Sequence, residues 1–394
     1  MGVNNKTLLL YLVGMTALIG GFAQNMYTPI LPQAQEELGT HAFLVNLSVT
    51  LFTVAMAVMQ IVFGPIVDQR GRRPIMIAGL TLFTLATFGC AFSPTIGLLL
   101  LCRVAQGIGA AAIPVVAAAV IGDLFAGRSL VRGMGTFQLI LALSPALGPL
   151  IGGFIGARTG MAGIFLSLGL AAVVLLAANA ALLKETLSPS ATPRKFSFGG
   201  FAAVYRHPHG RRLLWTGLFQ AMSTMTLLVY MPTIYLHDFG MGSQGTGISF
   251  LAMALCFMAA VKIGVVLQNR WSSVRVYVYG TWANIATYVL LAVSAQTELA
   301  LLLASFCVFG LTYGLSMPIP TALFTAWFPD DRAAANGAVN IMRLMGSALG
   351  PMAGSALYLS GSSVVLLIGI MLPYAWSMRK SGKWIHDSRG LADE

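Results

Sequence analysis

Long apolar runs separated by short polar breaks dominate the chain. They cover residues 7–29, 43–65, 75–93, 96–121, 134–156, 161–183, 212–236, 246–267, 276–294, 299–324, 335–358 and 362–378. A helix rising 1.5 Å per residue needs about 20 apolar residues to cross the apolar core of a bilayer. The pattern therefore predicts an all-α membrane protein with twelve transmembrane helices. Composition adds that 57% of residues are hydrophobic and only 9% charged, whereas soluble domains carry roughly a quarter charged residues. So little charge leaves the bilayer as the solvent for most of the chain. The first run has Lys6 before it and Ala23 near its end, as a signal peptide would, but it is as long as a full span and further spans follow.

The net charge is +11, and most of the Lys and Arg behind it sit in alternate connections. One set, with both tails, holds Lys6; Arg70, Arg72 and Arg73; Arg128 and Arg132; Lys184, Arg194, Lys195, Arg206, Arg211 and Arg212; Arg270 and Arg275; Arg332; and Arg379, Lys380, Lys383 and Arg389. The opposite set holds Arg158 alone, while Arg103, Lys262 and Arg343 lie within spans. Cytoplasmic loops collect Lys and Arg, so both termini are expected in the cytoplasm and the number of spans is even. This placement marks topology rather than a nucleic-acid surface. Cys90, Cys102, Cys256 and Cys307 all fall in apolar runs without metal-ligand spacing and read as packing residues. No cofactor or metal site is expected.

The polar stretch at mid-chain contains Ser188, Pro189, Ser190 and Pro193 and reads as a linker. It divides the chain into an N-terminal six-helix bundle (1–183), a cytoplasmic linker (184–211) and a C-terminal six-helix bundle (212–394). Within it, 196–205 is open to two readings, an amphipathic surface helix or a plain tether. The halves echo each other: Gly135, Ser144, Gly148, Pro149 and Gly152 recur at the same spacings as Gly337, Gly346, Gly350, Pro351 and Gly354, and Gly64 and Arg70 recur as Gly264 and Arg270. Such parallel repeats predict two pseudo-symmetric bundles.

Four motifs carry the chemistry. After the second span stands Gly64-Pro-Ile-Val-Asp68-Gln-Arg70-Gly71-Arg72-Arg73, which resembles the major facilitator superfamily signature G-x-x-x-D-x-x-G-R-[KR]. Gly71 suits a tight turn, and Asp68, Arg72 and Asp123 are expected to form a charge cluster that latches an inner gate. The fourth span holds Arg103-Val-Ala-Gln106-Gly107-Ile-Gly109-Ala-Ala, similar to that family's R-x-x-Q-G-x-G-A-A. The fifth, through Gly135, Gly148, Pro149, Gly152 and Gly153, resembles its antiporter signature with Ser144 replacing one glycine. The first ends Asn25-Met-Tyr27-Thr-Pro29-Ile-Leu-Pro32, similar to bicyclomycin-resistance-like drug:proton antiporters, except that Asn25 stands where they carry a carboxylate. The resemblance implies the major facilitator fold and a monomer in a bacterial inner membrane. It also implies secondary active efflux by alternating access, coupled to protons.

All twelve Asp and Glu residues lie at span ends, in loops or in tails, whereas Arg103 and Arg343 lie within spans. A cation inside a span is expensive and needs a wet or polar setting. One reading places both arginines on the passage, where a guanidinium fork takes a carboxylate or phosphate of the substrate. The other holds Arg103 by backbone carbonyls and Gln106, makes Arg343 a packing residue, and lets Lys262 snorkel. Asn25, Tyr27, Asn46, Gln106, Gln138, Phe219, Tyr230 and Asn340 complete the expected substrate site, and methionines of the seventh and eighth spans offer an adaptable wall. Gly64, Asp68, Arg70, Gly71, Arg72, Asp123, Gly148, Pro149 and Gly152 are assigned to gating. The rival functions are a dedicated exporter of one endogenous anionic metabolite, such as a metallophore, and an importer of organic anions. An intramembrane enzyme lacks a base, a catalytic acid pair or a mid-span histidine.

Overall fold

In a computed structural model, residues 3–187, 204–328, 332–358 and 361–379 are described. These are helical almost throughout, with no strand among them. The chain divides into two compact units, Met1–Phe196 and Ser197–Glu394.

The first unit contains α1 (Val3–Asn25), α2 (Leu31–Glu37), α3 (Ala42–Arg70), α4 (Arg72–Ala91), α5 (Ile96–Leu124) and α6 (Gly127–Leu182). The second contains α7 (Pro208–Phe239), α8 (Ser243–Arg270), α9 (Ser273–Ser294), α10 (Leu299–Ser316), α11 (Ile319–Trp327), α12 (Arg332–Leu357) and α13 (Ser363–Met378). Among the described residues, nine helical stretches are long and apolar enough to cross a membrane, and Ser363–Met378 is a shorter apolar helix.

The first and tenth expected spans are interrupted, and the fifth and sixth are joined without a loop. The first stops at Asn25 and restarts as a 3-10 turn, Thr28–Ile30, and then as α2. Pro29 and Pro32 stand at the starts of these pieces, where a missing N–H costs nothing. The expected fifth and sixth spans are two helices that follow each other directly within the α6 range and meet at a kink at Gly160, whose φ of 64° no other residue type adopts easily. The expected tenth span ends at Ser316, and Pro318 and Pro320 introduce α11 in its place. The stretch 196–203 lies outside the described residues, so the surface-helix reading is not placed.

Both units use the same packing plan. In the first, α1 lies on α6, α3 on α5, α4 on α5, and α4 on α6; in the second, α7 lies on α12, α8 on α10, α9 on α10, and α9 on α13. Small residues make the repeated contacts possible. A Cβ on Gly152 would collide with the carbonyl of Met26 on the turn after α1, and one on Gly346 with the carbonyl of Leu218 on α7. Gly152 and Gly346, both within the echoing pattern, are therefore seats for a neighbouring backbone. Gly107 is such a seat for the Phe52 carbonyl, whereas Gly64, Gly135 and Gly337 meet nothing within 4 Å.

Candidate functional site

The signature loop is a hydrogen-bonded latch inside the first unit. Gly71, at φ 95°, turns the chain from α3 into α4. Arg72 then lies 3.2 Å from Asp68 and donates to Asp123 through Nε at 2.9 Å and Nη2 at 3.5 Å, while Nη1 reaches the Val67 carbonyl at 2.9 Å. Arg70 is exposed.

Sequence reasoning missed the next partner. The Glu185 carboxylate accepts from the backbone N–H groups of Arg72 (2.9 Å) and Arg73 (3.1 Å), which open α4, and from those of Thr186 and Leu187. It thereby supplies the acceptors that the first turn of a helix lacks. Partial burial raises the proton affinity of this carboxyl, but the four donors outweigh it and hold its pKa below the usual carboxylate range. A Cβ at position 71 would also strike Glu185. Thr186 completes the knot by donating to Asp123 Oδ2 at 2.8 Å. The start of the mid-chain linker is thus tied to the signature loop.

Two further carboxylates, Glu37, unassigned from sequence, and Asp238, a candidate for proton coupling, clasp other ends of the helices in each unit. Glu37 accepts from Gln33 Nε2 at 3.0 Å and from the N–H of Met161 at 3.1 Å, beside the Gly160 break. Asp238 accepts from the Ser363 hydroxyl, next to Gly361 at φ 69°. Their shared offset along the chain was the available signal. A cavity of ≈ 410 Å³ beside Asp238 is lined by span-end residues, including Gln296, Thr297 and Ser362, and holds none of the expected substrate-site residues.

Of the expected substrate residues, one group is enclosed within the first unit. Arg103 is fully buried. Its Nη1 donates to Gln106 Oε1 at 2.7 Å and to the Ala23 carbonyl at 3.1 Å, and its Nε donates to the Ser48 carbonyl at 3.4 Å. Gln106 passes its own amide to Thr87 Oγ1 at 2.8 Å. The guanidinium carbon also lies 4.4 Å from the ring centroid of Phe52, 5.5 Å from Tyr27 and 5.8 Å from Phe165. Carbonyl dipoles and ring faces thus stabilise the cation in place of an acid. Arg103, Gln106, Tyr27 and Asn46 are all buried.

Asn25 explains two departures from the family pattern together. Its Nδ2 donates to Ser144 Oγ at 3.0 Å and to the Gly21 carbonyl at 2.9 Å. The residue in place of the family's carboxylate therefore pairs with the serine in place of the family's glycine. The Asn25 side chain also rests against Gly148, and Pro149 is buried one residue on.

In the second unit, Arg343 is exposed on α12 and donates from Nη2 to Asn340 Oδ1 at 3.0 Å, one turn away. Phe219 stacks on Trp215 at 6.0 Å and meets Trp376 edge-on at 6.5 Å. Tyr230 is buried, and its hydroxyl and Ser355 Oγ, 2.7 Å apart, stitch α7 to α12. Gln138 is exposed on α6. Lys262 is exposed near the end of α8.

Comparison with known proteins agrees with this architecture. The model for the Major Facilitator Superfamily matches residues 13–273 and 214–378. An uncharacterised MFS-type transporter of Bacillus subtilis, YdgK, is 28% identical over 375 residues, covering 88% of each chain. The multi-drug resistance efflux pump PmrA of Streptococcus pneumoniae is 25% identical over 344 residues, covering 85% of this chain and 86% of that one. The fold is similar to that of a bacterial homologue of the human lysosomal transporter Spinster, with TM-score 0.79, 15% identity, and coverage of 97% of this chain and 94% of the other. With the signature latch, the repeated packing plan and a family model spanning both units, the chain belongs to the major facilitator superfamily and is a membrane transporter of small molecules rather than an enzyme.

Proposed function

We propose that the protein exports small amphipathic compounds carrying negative charge, by alternating access and in exchange for protons. In this reading it works as a monomer in a bacterial inner membrane, with both termini in the cytoplasm. The observation that carries the anion preference is Arg343: an exposed guanidinium within a span, bonded to the neutral Asn340 and, among the described residues, in no ion pair with a carboxylate. A planar fork with spare donors suits a carboxylate or phosphate. The nearby Phe219–Trp215 stack offers an apolar surface on the same unit.

Export rather than import is supported by the fifth-span resemblance to antiporters and by relatives such as PmrA, which is named as an efflux pump. Proton exchange uses groups outside the span cores, since the neutral Asn25–Ser144 pair occupies the position where similar antiporters carry an acid. Asp68 and Asp123 around Arg72, Asp238, or a titrating substrate fill that role.

The test is transport into everted membrane vesicles energised with a proton gradient. Wild type accumulates an anionic amphiphile, Arg343→Ala loses at least about tenfold in apparent affinity, and collapsing the gradient stops accumulation. Unchanged affinity for the anion in Arg343→Ala removes the anion reading; accumulation indifferent to the gradient removes proton exchange.

A further inference from the structure

The turns that lead from α3 into α4 and from α8 into α9 hold corresponding places in the two repeats, and they balance their charge differently. In the first unit Arg72 is met by Asp68 and Asp123, and Glu185 closes the start of α4. At the offset that relates Gly64 to Gly264 and Arg70 to Arg270, Gln268 stands for Asp68 and Ser272 for Arg72. Both replacements are neutral and engaged in the turn itself. Gln268 Nε2 donates to the Gly264 carbonyl at 3.1 Å, Ser273 Oγ donates to Gln268 Oε1 at 3.2 Å, and Ser272 Oγ accepts the Arg275 N–H at 3.4 Å. The cations remain: Arg270 is exposed and Arg275 half-buried, and among the described residues neither forms an ion pair.

These two arginines stand where a bilayer presents its charge. α8 and α9 are both long and apolar enough to span, so the turn between them lies at a membrane surface. Only Trp271 and Ser272 separate the two helices, which places Arg270 and Arg275 on either side of one tight turn. One helical turn inward from each arginine is an exposed side chain: Val266, four residues before Arg270, and Tyr279, four residues after Arg275. Trp271, also exposed, meets the Tyr279 ring edge-on with centroids 6.5 Å apart. Guanidinium groups at the end of two spans, with Trp and Tyr beside them and aliphatic side chains further in, follow the order of phosphate, glycerol and chains in a phospholipid.

We propose that the α8–α9 turn binds the headgroup of an anionic phospholipid. Arg270 and Arg275 take the phosphate, Trp271 and Tyr279 sit at the glycerol level, and the chains run along Val266 and Ile263, both exposed on α8. The first unit keeps its counter-charges within the protein, whereas the second takes them from the bilayer. A small free anion would engage the arginines and leave the exposed aromatic and aliphatic side chains uncovered, which favours a lipid. The site is separate from the expected substrate residues and does not depend on the charge of the substrate.

Native mass spectrometry of the purified full-length protein tests this, with titrations of phosphatidylglycerol and phosphatidylcholine carrying identical chains. Each arginine near an anionic headgroup contributes about fivefold in affinity. Wild type is therefore expected to bind phosphatidylglycerol at least about tenfold more tightly than phosphatidylcholine, and the double variant Arg270→Gln, Arg275→Gln to lose that preference. Since neither guanidinium is in an ion pair among the described residues, the lipid-free double variant is expected to keep the wild-type Tm. Should it fail to fold, Arg270→Gln alone carries the test, with about a fivefold loss of the preference. Glycerol 3-phosphate, a headgroup without chains, is expected not to displace the lipid at equal concentration. Equal affinity of wild type for the two lipids, or a preference that survives in the variant, overturns the proposal. Displacement by glycerol 3-phosphate also overturns it and makes the turn a site for small anions.

Discussion

Two arginines stand inside spans of this chain, and the two units treat them in opposite ways. Arg103 of the first unit is sealed among carbonyls, Gln106 and three aromatic rings, whereas Arg343 of the second is exposed and leans on Asn340. In sequence they look alike, each a lone cation in an apolar run. The difference teaches that a membrane cation without an acid has two solutions. Either fixed dipoles and ring faces compensate it, and it becomes part of the fold, or it stays accessible and binds its counter-charge from outside.

The largest expected effect comes from breaking the sealed side. Arg103→Ala leaves Gln106, Ala23 and Ser48 without their donor and opens a cavity under Phe52. Hydrogen bonds to charged groups contribute about 1.5–3 kcal/mol, so the variant is expected to lose at least that much stability, read as a large drop in Tm and in yield of folded protein. Arg103→Lys keeps the charge but not the fork and falls between. Should Arg103→Ala fold normally and lose only substrate affinity, the contrast between the units is wrong.

Next come the packing seats. Gly152→Val and Gly346→Val each drive a side chain into a backbone carbonyl of the helix or turn alongside. Overpacking of this kind costs about 1–3 kcal/mol, and each variant is expected to lose Tm accordingly. A variant that keeps the wild-type Tm contradicts the close approach at its position.

Much of this architecture was legible in the sequence, and the failures have physical causes. The spans were visible because lipid demands runs of apolar residues, and the signature loop because its glycine and charges stand at fixed spacings. The direction that Arg103 faces was not, because its span is apolar on nearly every side and periodicity gives no inward face. Asn25 and Ser144 each looked like an isolated departure; their hydrogen bond joins residues 119 positions apart. Glu185 sits just past the sixth apolar run and looked like one more linker charge until α4 was seen to begin beside it.

The smallest stability effect belongs to the latch. Glu185→Gln keeps the size of the side chain and removes the charge that faces the start of α4, so Tm at neutral pH is expected to fall by only a few degrees. Because the folded protein holds the Glu185 pKa below its unfolded value, the stabilisation is present above the ordinary carboxylate range and disappears as pH falls through the folded pKa. Wild type and Glu185→Gln should therefore differ in Tm at neutral pH and converge in acid. A difference that persists in acid contradicts the assignment.

The contrast between a sealed and an open arginine is tested most directly by ligand-induced thermal shift on purified wild type and Arg343→Ala, using acidic, neutral and cationic compounds that share one apolar body. The account predicts stabilisation of wild type by the acidic member above the others, loss of that preference in Arg343→Ala, and little change in Tm of the unliganded variant. An acidic compound that stabilises both proteins equally, or a wild type that prefers the cationic member, contradicts it.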